Sequence, residues 1–355
     1  MQPDRVDRFP YIDGLRGVAV LAVLACHIVL IDFDGRGARV PRLWHPLSHG
    51  VDLFFAISGF CMAHIFWSGR RTSYGTFLVR RFVRIAPAFY IALLGFVALG
   101  HTPFGTPGLR SDGSDTLHSL FFAIPLSGAR VNGAFWTIAV EARWYLIAPA
   151  AIVLYRRSPR AFLAVGFASY GLYAASPIFD DAGYLPCFML GVLAADLRRR
   201  AHVVYRLAPL GVAALLPLAL AMPQRGSNTW HAHPIWHLVA FALVLAGSQK
   251  FAARLLCWSP FRAVGAASYS IYLTHLPVLL WCGRHHVGLP AATGTALVAG
   301  FAFWALVERP FLRPEVRSAI ERRIIASLEA VRSPPRAFGR IGRAEAATPS
   351  PSDTA

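Results

Sequence analysis

The recurrence of apolar runs as long as a bilayer is thick constrains this chain most. About twenty apolar residues in a helix cross the roughly 30 Å hydrocarbon layer. Ten such segments are read here: 15–31, 48–67, 85–100, 138–155, 161–177, 184–197, 205–222, 234–249, 264–283 and 290–308. Backbone groups inside a bilayer must be satisfied within the protein, which leaves helices as the natural form for runs of this length. The expected fold is all-α, a polytopic membrane helical bundle of about ten transmembrane helices. The segments near 184 and 234 are short, as tilted or partly re-entrant helices would be.

Composition agrees with that class. Hydrophobic residues make up 55% of the 355, and charged residues only 15%. A formal charge of +17 would suit a nucleic-acid partner, but its distribution argues against one. The basic residues gather in short loops between apolar runs, as the positive-inside rule requires. With an inner N-terminus, the cytoplasmic loops hold Arg70, Arg71, Arg80, Arg81 and Arg84; then Arg156, Arg157 and Arg160; then Arg198, Arg199, Arg200 and Arg206; then Lys250, Arg254 and Arg262. The outer loops hold Arg110, Arg130, Arg225 and Arg284, with Arg36, Arg39 and Arg42 as the departure from the rule. The sum places both termini in the cytoplasm and the chain in the cell (inner or plasma) membrane.

No cleavable signal peptide is expected, since Asp13 and Arg16 sit at the edge of the first run. The membrane region is assigned to 1–312 and a cytoplasmic tail to 313–355. Residues 315–331 are expected as a surface helix and 333–355 as disordered. The longest loop, 101–137, contains LFFAIPL at 120–126, too short to span. Five cysteines without a C-x-x-C pair indicate neither a disulfide framework nor a zinc ribbon.

Polar residues inside apolar runs are the candidates for chemistry, because each is costly in a bilayer and tends to face a partner or a cavity. Arg16 and His27 lie eleven residues apart in the first run. At about 100° per residue they return to within about 20° of one face, roughly 16 Å apart along the axis. Asp13 precedes them. The second run holds VDLFFAISGF, with Asp52 near its outer end and Ser58-Gly59 small enough for close helix approach. In RRFVRIAPAFY, Arg81 and Arg84 share a helical face, either as phosphate grips or as topological anchors. In FWTIAVEARWYLIAP, Glu141 and Tyr145 share a face; a glutamate there either pairs with an arginine or does proton chemistry. Tyr269, Tyr272 and His275 form a polar stripe in ASYSIYLTHLPV, and Glu308-Arg309 close the last run, both read as core or capping groups. His231, His233 and His237 have an H-x-H-x3-H spacing that could suit zinc. No acidic fourth ligand lies nearby in sequence, so no metal is expected.

Taken in order, Arg16 to His27, VDLFFAISGF, Arg81-x-x-Arg84 with Pro87, WTIAVEARWYLIAP, SYSIYLTHLP and Glu308-Arg309-Pro310 resemble the acyltransferase-3 family of membrane-bound acyltransferases, from Asp13 to Pro310. The family pattern at the fourth run is closer to WSLSVEEQFYL; Thr137, Ala139, Ala142 and Arg143 depart from it, while Glu141 and Tyr145 are kept. The resemblance implies transfer of an acyl group, most often acetyl, from cytoplasmic acyl-CoA to a hydroxyl of a carbohydrate or glycosylated acceptor, by a stand-alone member. If the acceptor lies outside, the protein moves the acyl group across the bilayer itself or relies on an envelope-biosynthesis partner. His27 would be general base or transient acyl carrier; Arg16, Arg81 and Arg84 would hold the CoA phosphates; Glu141 would orient His27 or neutralise Arg16. Asp13, Asp52, Ser58, Tyr145, Tyr272 and His275 would support them. A transporter or flippase of a polar substrate is the alternative, disfavoured because no inverted repeat is visible.

Overall fold

The computed structural model describes residues 9–31, 44–68, 73–100, 113–122, 132–176, 181–222 and 232–332; their regular structure is helical, with no strand among them. The first half contains α1 (Pro10–Leu30), α2 (Trp44–Ser48), α3 (Gly50–Trp67), α4 (Tyr74–Gly100), α5 (Gly113–Leu120), α6 (Trp136–Arg157), α7 (Pro159–Ala175) and α8 (Leu185–Arg199). The second contains α9 (Val203–Ala221), α10 (Pro234–Ala246), α11 (Lys250–Leu256), α12 (Ser259–Ala266), α13 (Ser268–Arg284) and α14 (Leu289–Phe303). A π-helical turn, Trp304–Glu308, leads into α15 (Arg309–Phe311) and α16 (Pro314–Arg332). Proline opens α1, α7, α8, α10, α12 and α14 within their first two positions. It suits those places because its fixed φ is helical and the missing N–H has no helical acceptor there.

The ten expected spans all coincide with helix, but they are not ten equal crossings. Among the described residues, six helices are long and apolar enough to cross a membrane. The number rises to eight if the bent pairs α10–α11 (95°) and α12–α13 (71°) each count as one span. Helices α7 and α8, with 17 and 15 residues, fall short of a straight crossing. This is a multi-pass membrane protein. Arg36, Arg39, Arg42, Arg70, Arg71, Arg110, Arg130, Arg225 and His231, most of 120–126, and the tail 333–355 lie outside the described residues.

Helix α4 starts eleven residues before the expected span. Arg80, Arg81 and Arg84 are therefore in its first half rather than in a loop. Phe77, Val79 and Val83 bury the same stretch against the bundle, so the apolar periodicity continues through the arginines. The expected surface helix is α16, which packs on α4 with Glu321 between Arg80 (3.6 Å) and Arg317 (2.7 Å).

Helix α3 lies at the centre, packed along α8 and also against α1, α10 and α6. The approach to α8 depends on two glycines. A Cβ on Gly59 would collide with the carbonyl oxygen of Phe188, and one on Gly191 with that of Ala56. Gly59 of the SGF sequence is thus a packing residue, while its neighbour Ser58 turns to a different task.

A proline fixes the second key junction. Pro277 inside α13 has no N–H to offer the carbonyl four residues back, on Leu273. The buried Asn132 side chain donates to that carbonyl at 2.9 Å and accepts from the Ala134 N–H at 3.0 Å. One amide thereby joins the entry of α6 to the middle of α13. Asn132→Ala should destabilise the protein by about 1–3 kcal/mol, as expected when a buried acceptor is left unpaired. In a Pro277→Ala background, where the helix can satisfy its own carbonyl, the loss should shrink; thermal unfolding of the four proteins in nanodiscs measures both.

Candidate functional site

The first halves of α1, α4 and α13, the length of α3 from Val51 to Met62 and the first turns of α6 surround one cavity, about 800 Å³ with its open mouth. Arg16, Ser58, Cys61, Arg81, Arg84, Glu141, Tyr145, Tyr269 and Tyr272 are among the residues that line it. The α1 arginine, the α4 pair and the α6 glutamate therefore meet at one place, though 125 residues separate the first from the last in sequence.

The three arginines are held differently. Arg16 reaches Asp13 at 3.3 Å and the Cys61 sulfur at 3.6 Å. Arg84 donates to the Glu308 carboxylate at 2.7 Å, and Ser270 donates to the other oxygen of that carboxylate at 2.6 Å. Arg81 pairs with no carboxylate among the described residues. Its guanidinium lies 5.7 Å from the Phe77 ring centre and 5.8 Å from that of Tyr145, at the outer range of cation–π attraction.

Glu308 is 1% exposed. Of the core and capping roles its sequence position allows, it takes the core one, as the buried counter-charge of Arg84. The π-helical turn explains how it gets there, because the extra residue in that turn rotates the side chains that follow. No local sequence signal could pair Arg84 with a residue 224 positions away.

Glu141 does neither of the two things expected of it. It makes no hydrogen bond or ion pair with His27 or Arg16; it accepts from Ser58 at 2.9 Å and from Tyr145 at 2.6 Å. Its neighbour Arg143 turns the other way, to Asp181 at 2.5 Å and the Phe122 carbonyl at 3.0 Å. The i,i+4 spacing made the Tyr145 contact legible, whereas Ser58 on α3 was not.

His27 and His275 stand beside the cavity rather than among its lining residues. Tyr272 does line it; its ring is 5.5 Å from that of His275, and its hydroxyl accepts from Thr137 at 2.8 Å. His275 Nδ1 is 2.8 Å from the Tyr272 carbonyl, and His27 Nδ1 is 2.9 Å from the Val23 carbonyl. A carbonyl only accepts, so both Nδ1 atoms carry the proton. His275 Nε2, 3.3 Å from His27 Nδ1, is then an acceptor toward it. These partners assign the His27 lone pair to Nε2.

Asp52 is not in the cavity. It sits toward the start of α3, on the other side of Ser58, between His49 Nδ1 (2.7 Å) and His237 Nε2 (3.0 Å). His233 spends its Nδ1 on the Ile235 N–H, 3.4 Å away at the start of α10.

The Arg84–Glu308 pair yields a stability prediction. Glu308→Ala leaves a largely buried guanidinium without its counter-charge. Arg84 keeps 30% exposure, which places the loss at the low end for such a pair, about 3 kcal/mol. Glu308→Ala combined with Arg84→Met should recover most of it; unfolding midpoints of the single and double variants decide.

Known proteins give this arrangement its relatives. The acyltransferase-3 family, described as an acyltransferase domain, matches residues 9–309. The peptidoglycan O-acetyltransferase OatA of Listeria monocytogenes is 22% identical over 76% of this chain and 49% of its own length. The acyltransferase MdmB of Streptomyces mycarofaciens is 32% identical over 44% of this chain and 42% of its own. Nodulation protein 10 of Rhizobium leguminosarum bv. viciae is 28% identical over 78% and 84%. The chain thus spans about half the length of OatA, and no solved structure matches it. The family match covers the cavity, the histidine pair and the π-helical turn together, and the chain belongs to the acyltransferase-3 family of membrane acyltransferase domains.

Proposed function

We propose that this protein transfers an acyl group, most simply acetyl, from cytoplasmic acyl-CoA to a hydroxyl of a carbohydrate or glycosylated acceptor. The observation that carries this reading is the tautomer of His27. Its Nδ1 proton is committed to Val23 and His275, which leaves the basic lone pair on Nε2. Its partner His275 adjoins Tyr272 on the wall of a cavity that offers three arginines to an anionic donor.

The balance of the step is simple. Nε2 of His27 takes the proton of the acceptor hydroxyl as the oxygen bonds to the acyl carbon. The carbon–sulfur bond breaks, and the imidazolium returns the proton to the departing thiolate. In the carrier variant of this reading, Nε2 bonds to the acyl carbon as the carbon–sulfur bond breaks and the thiolate departs; the acceptor oxygen then displaces Nε2, and the hydroxyl proton passes to the thiolate. His275 acts as a positioning residue through His27 Nδ1. Glu141 orders Ser58 and Tyr145 on the cavity wall and adds a negative charge that limits which anions the arginines retain. OatA's name supports carbohydrate chemistry for the acceptor. Cytoplasmic termini, in a cell membrane, place the arginine end of the bundle where acyl-CoA is found.

The three arginines are not equal in this account. Arg84 already has a carboxylate partner and Arg81 has none among the described residues, so Arg81 meets donor phosphates with less competition. Arg81→Ala should weaken acetyl-CoA binding about tenfold or more, the loss of one charge-assisted contact of roughly 1.5–3 kcal/mol. Arg84→Ala should lose affinity less and stability more. Equal affinities for wild type and Arg81→Ala by calorimetry would mean that these residues only anchor the helix.

Transfer itself is tested with acetyl-CoA labelled on the acetyl carbon and a panel of glycans. His27→Ala should lower acceptor-dependent CoA release by about 10²–10⁴-fold, the usual span for general base catalysis, with donor binding retained. Label kept on wild-type protein and absent from His27→Ala identifies the carrier route. Normal turnover by His27→Ala removes His27 from the chemistry.

A further inference from the structure

The arginine cavity leaves a second buried cluster unexplained. Asp52 of α3, Cys187 of α8 and His237 of α10 come from three helices, and one ligand atom from each lies within 4.8 Å of the others. All three residues are buried. We propose that they bind a divalent metal ion of the zinc class.

The geometry is poor for a simple ion pair. Asp52 Oδ1 and His237 Nε2 are 3.0 Å apart, yet neither has an aligned hydrogen bond. The Cys187 sulfur lies 3.0 Å from the Asp52 carbonyl, which holds the thiol against the same turn of α3. Sulfur, imidazole nitrogen and carboxylate oxygen together form a zinc donor set.

Charge balance favours a dication. Once the thiol is deprotonated, a carboxylate, a thiolate and a neutral imidazole sum to −2, a charge that an apolar bundle holds only with a counter-ion. A bound dication brings the site to zero; the thiol proton leaves to solvent as the metal enters. The surroundings already orient the donors. His49 Nδ1 donates to the second oxygen of Asp52 at 2.7 Å, and the His49 ring stacks on Trp236 at 4.7 Å and 10°. Such carboxylate–histidine support is typical around metal ligands. Among the described residues of the H-x-H-x3-H spacing, His237 takes part and His233 caps α10; His231 lies outside them. The missing acid is Asp52, 185 positions away in sequence, which is why no metal was expected.

The test uses full-length protein purified with a tag free of histidine. After equilibration with Zn²⁺ and removal of excess, wild type should carry one zinc per chain by mass spectrometry of the metal. Asp52→Asn and His237→Gln should fall to background, and His49→Ala should weaken binding roughly 10–100-fold. With Co²⁺ in place of Zn²⁺, a sulfur-to-cobalt charge-transfer band should appear in wild type and vanish in Cys187→Ala. Wild type without bound zinc overturns the proposal, and so does a cobalt band that persists in Cys187→Ala. Both readouts stand even if Asp52→Asn does not fold.

Discussion

The structure depends on how α13 satisfies a row of polar groups inside an apolar bundle. Each group would cost several kcal/mol if left unpaired in hydrocarbon, and each finds its partner on a different element. Tyr269 donates to the Ile85 carbonyl of α4 at 2.9 Å. Ser270 donates to Glu308 in the π-helical turn. Tyr272 accepts from Thr137 of α6, Leu273 from Asn132, and His275 meets His27 of α1. One helix therefore sets the positions of the arginine helix, the glutamate helix and the histidine helix. The site is built on rigid helices rather than loops, and its dimensions follow from this set of hydrogen bonds.

The same economy governs charge. Arg84 comes with Glu308 and Arg16 with Asp13, while Glu141 adds a carboxylate without pairing to either arginine. The cavity is thus charged locally and close to balanced in sum, which lowers the cost of holding ionisable groups at membrane depth. An anionic ligand then competes for arginines that already have company, and Arg81 is the exception. At the far half of α1, the His27 and His275 pair is held by carbonyls and by each other. In the proposed mechanism the chemistry is divided along the length of α1, with charge at Arg16 and proton transfer at His27.

Much of this was legible in the sequence because helical periodicity acts locally. The all-helical membrane class followed from apolar run lengths. Arg16 and His27 on one face followed from eleven-residue spacing, and Glu141 with Tyr145 from i,i+4 spacing. The three-residue spacing of Tyr269, Tyr272 and His275 marked a polar stripe, although its importance was underrated. What failed did so for long-range reasons. Glu308 reaches Arg84, Ser58 reaches Glu141, and Asp52 reaches His237 only after the bundle closes. The spans are unequal for the same reason, because the bends at α10–α11 and α12–α13 and the shortness of α7 are set by packing. The Asn132 link had a local half, the proline at 277, whose orphaned carbonyl sequence alone could not match to its donor.

The central claim is that the arginine cavity and the histidine pair form one site, with the donor's phosphates at one end and its thioester at the other. Cryo-electron microscopy of the protein in nanodiscs with a non-hydrolysable acyl-CoA thioether tests it most directly. The account predicts phosphate density against Arg81, with Arg16 and Arg84 nearby, and the acyl end passing Tyr272 toward His27. Ligand density outside this cavity, or phosphates away from all three arginines, would contradict it.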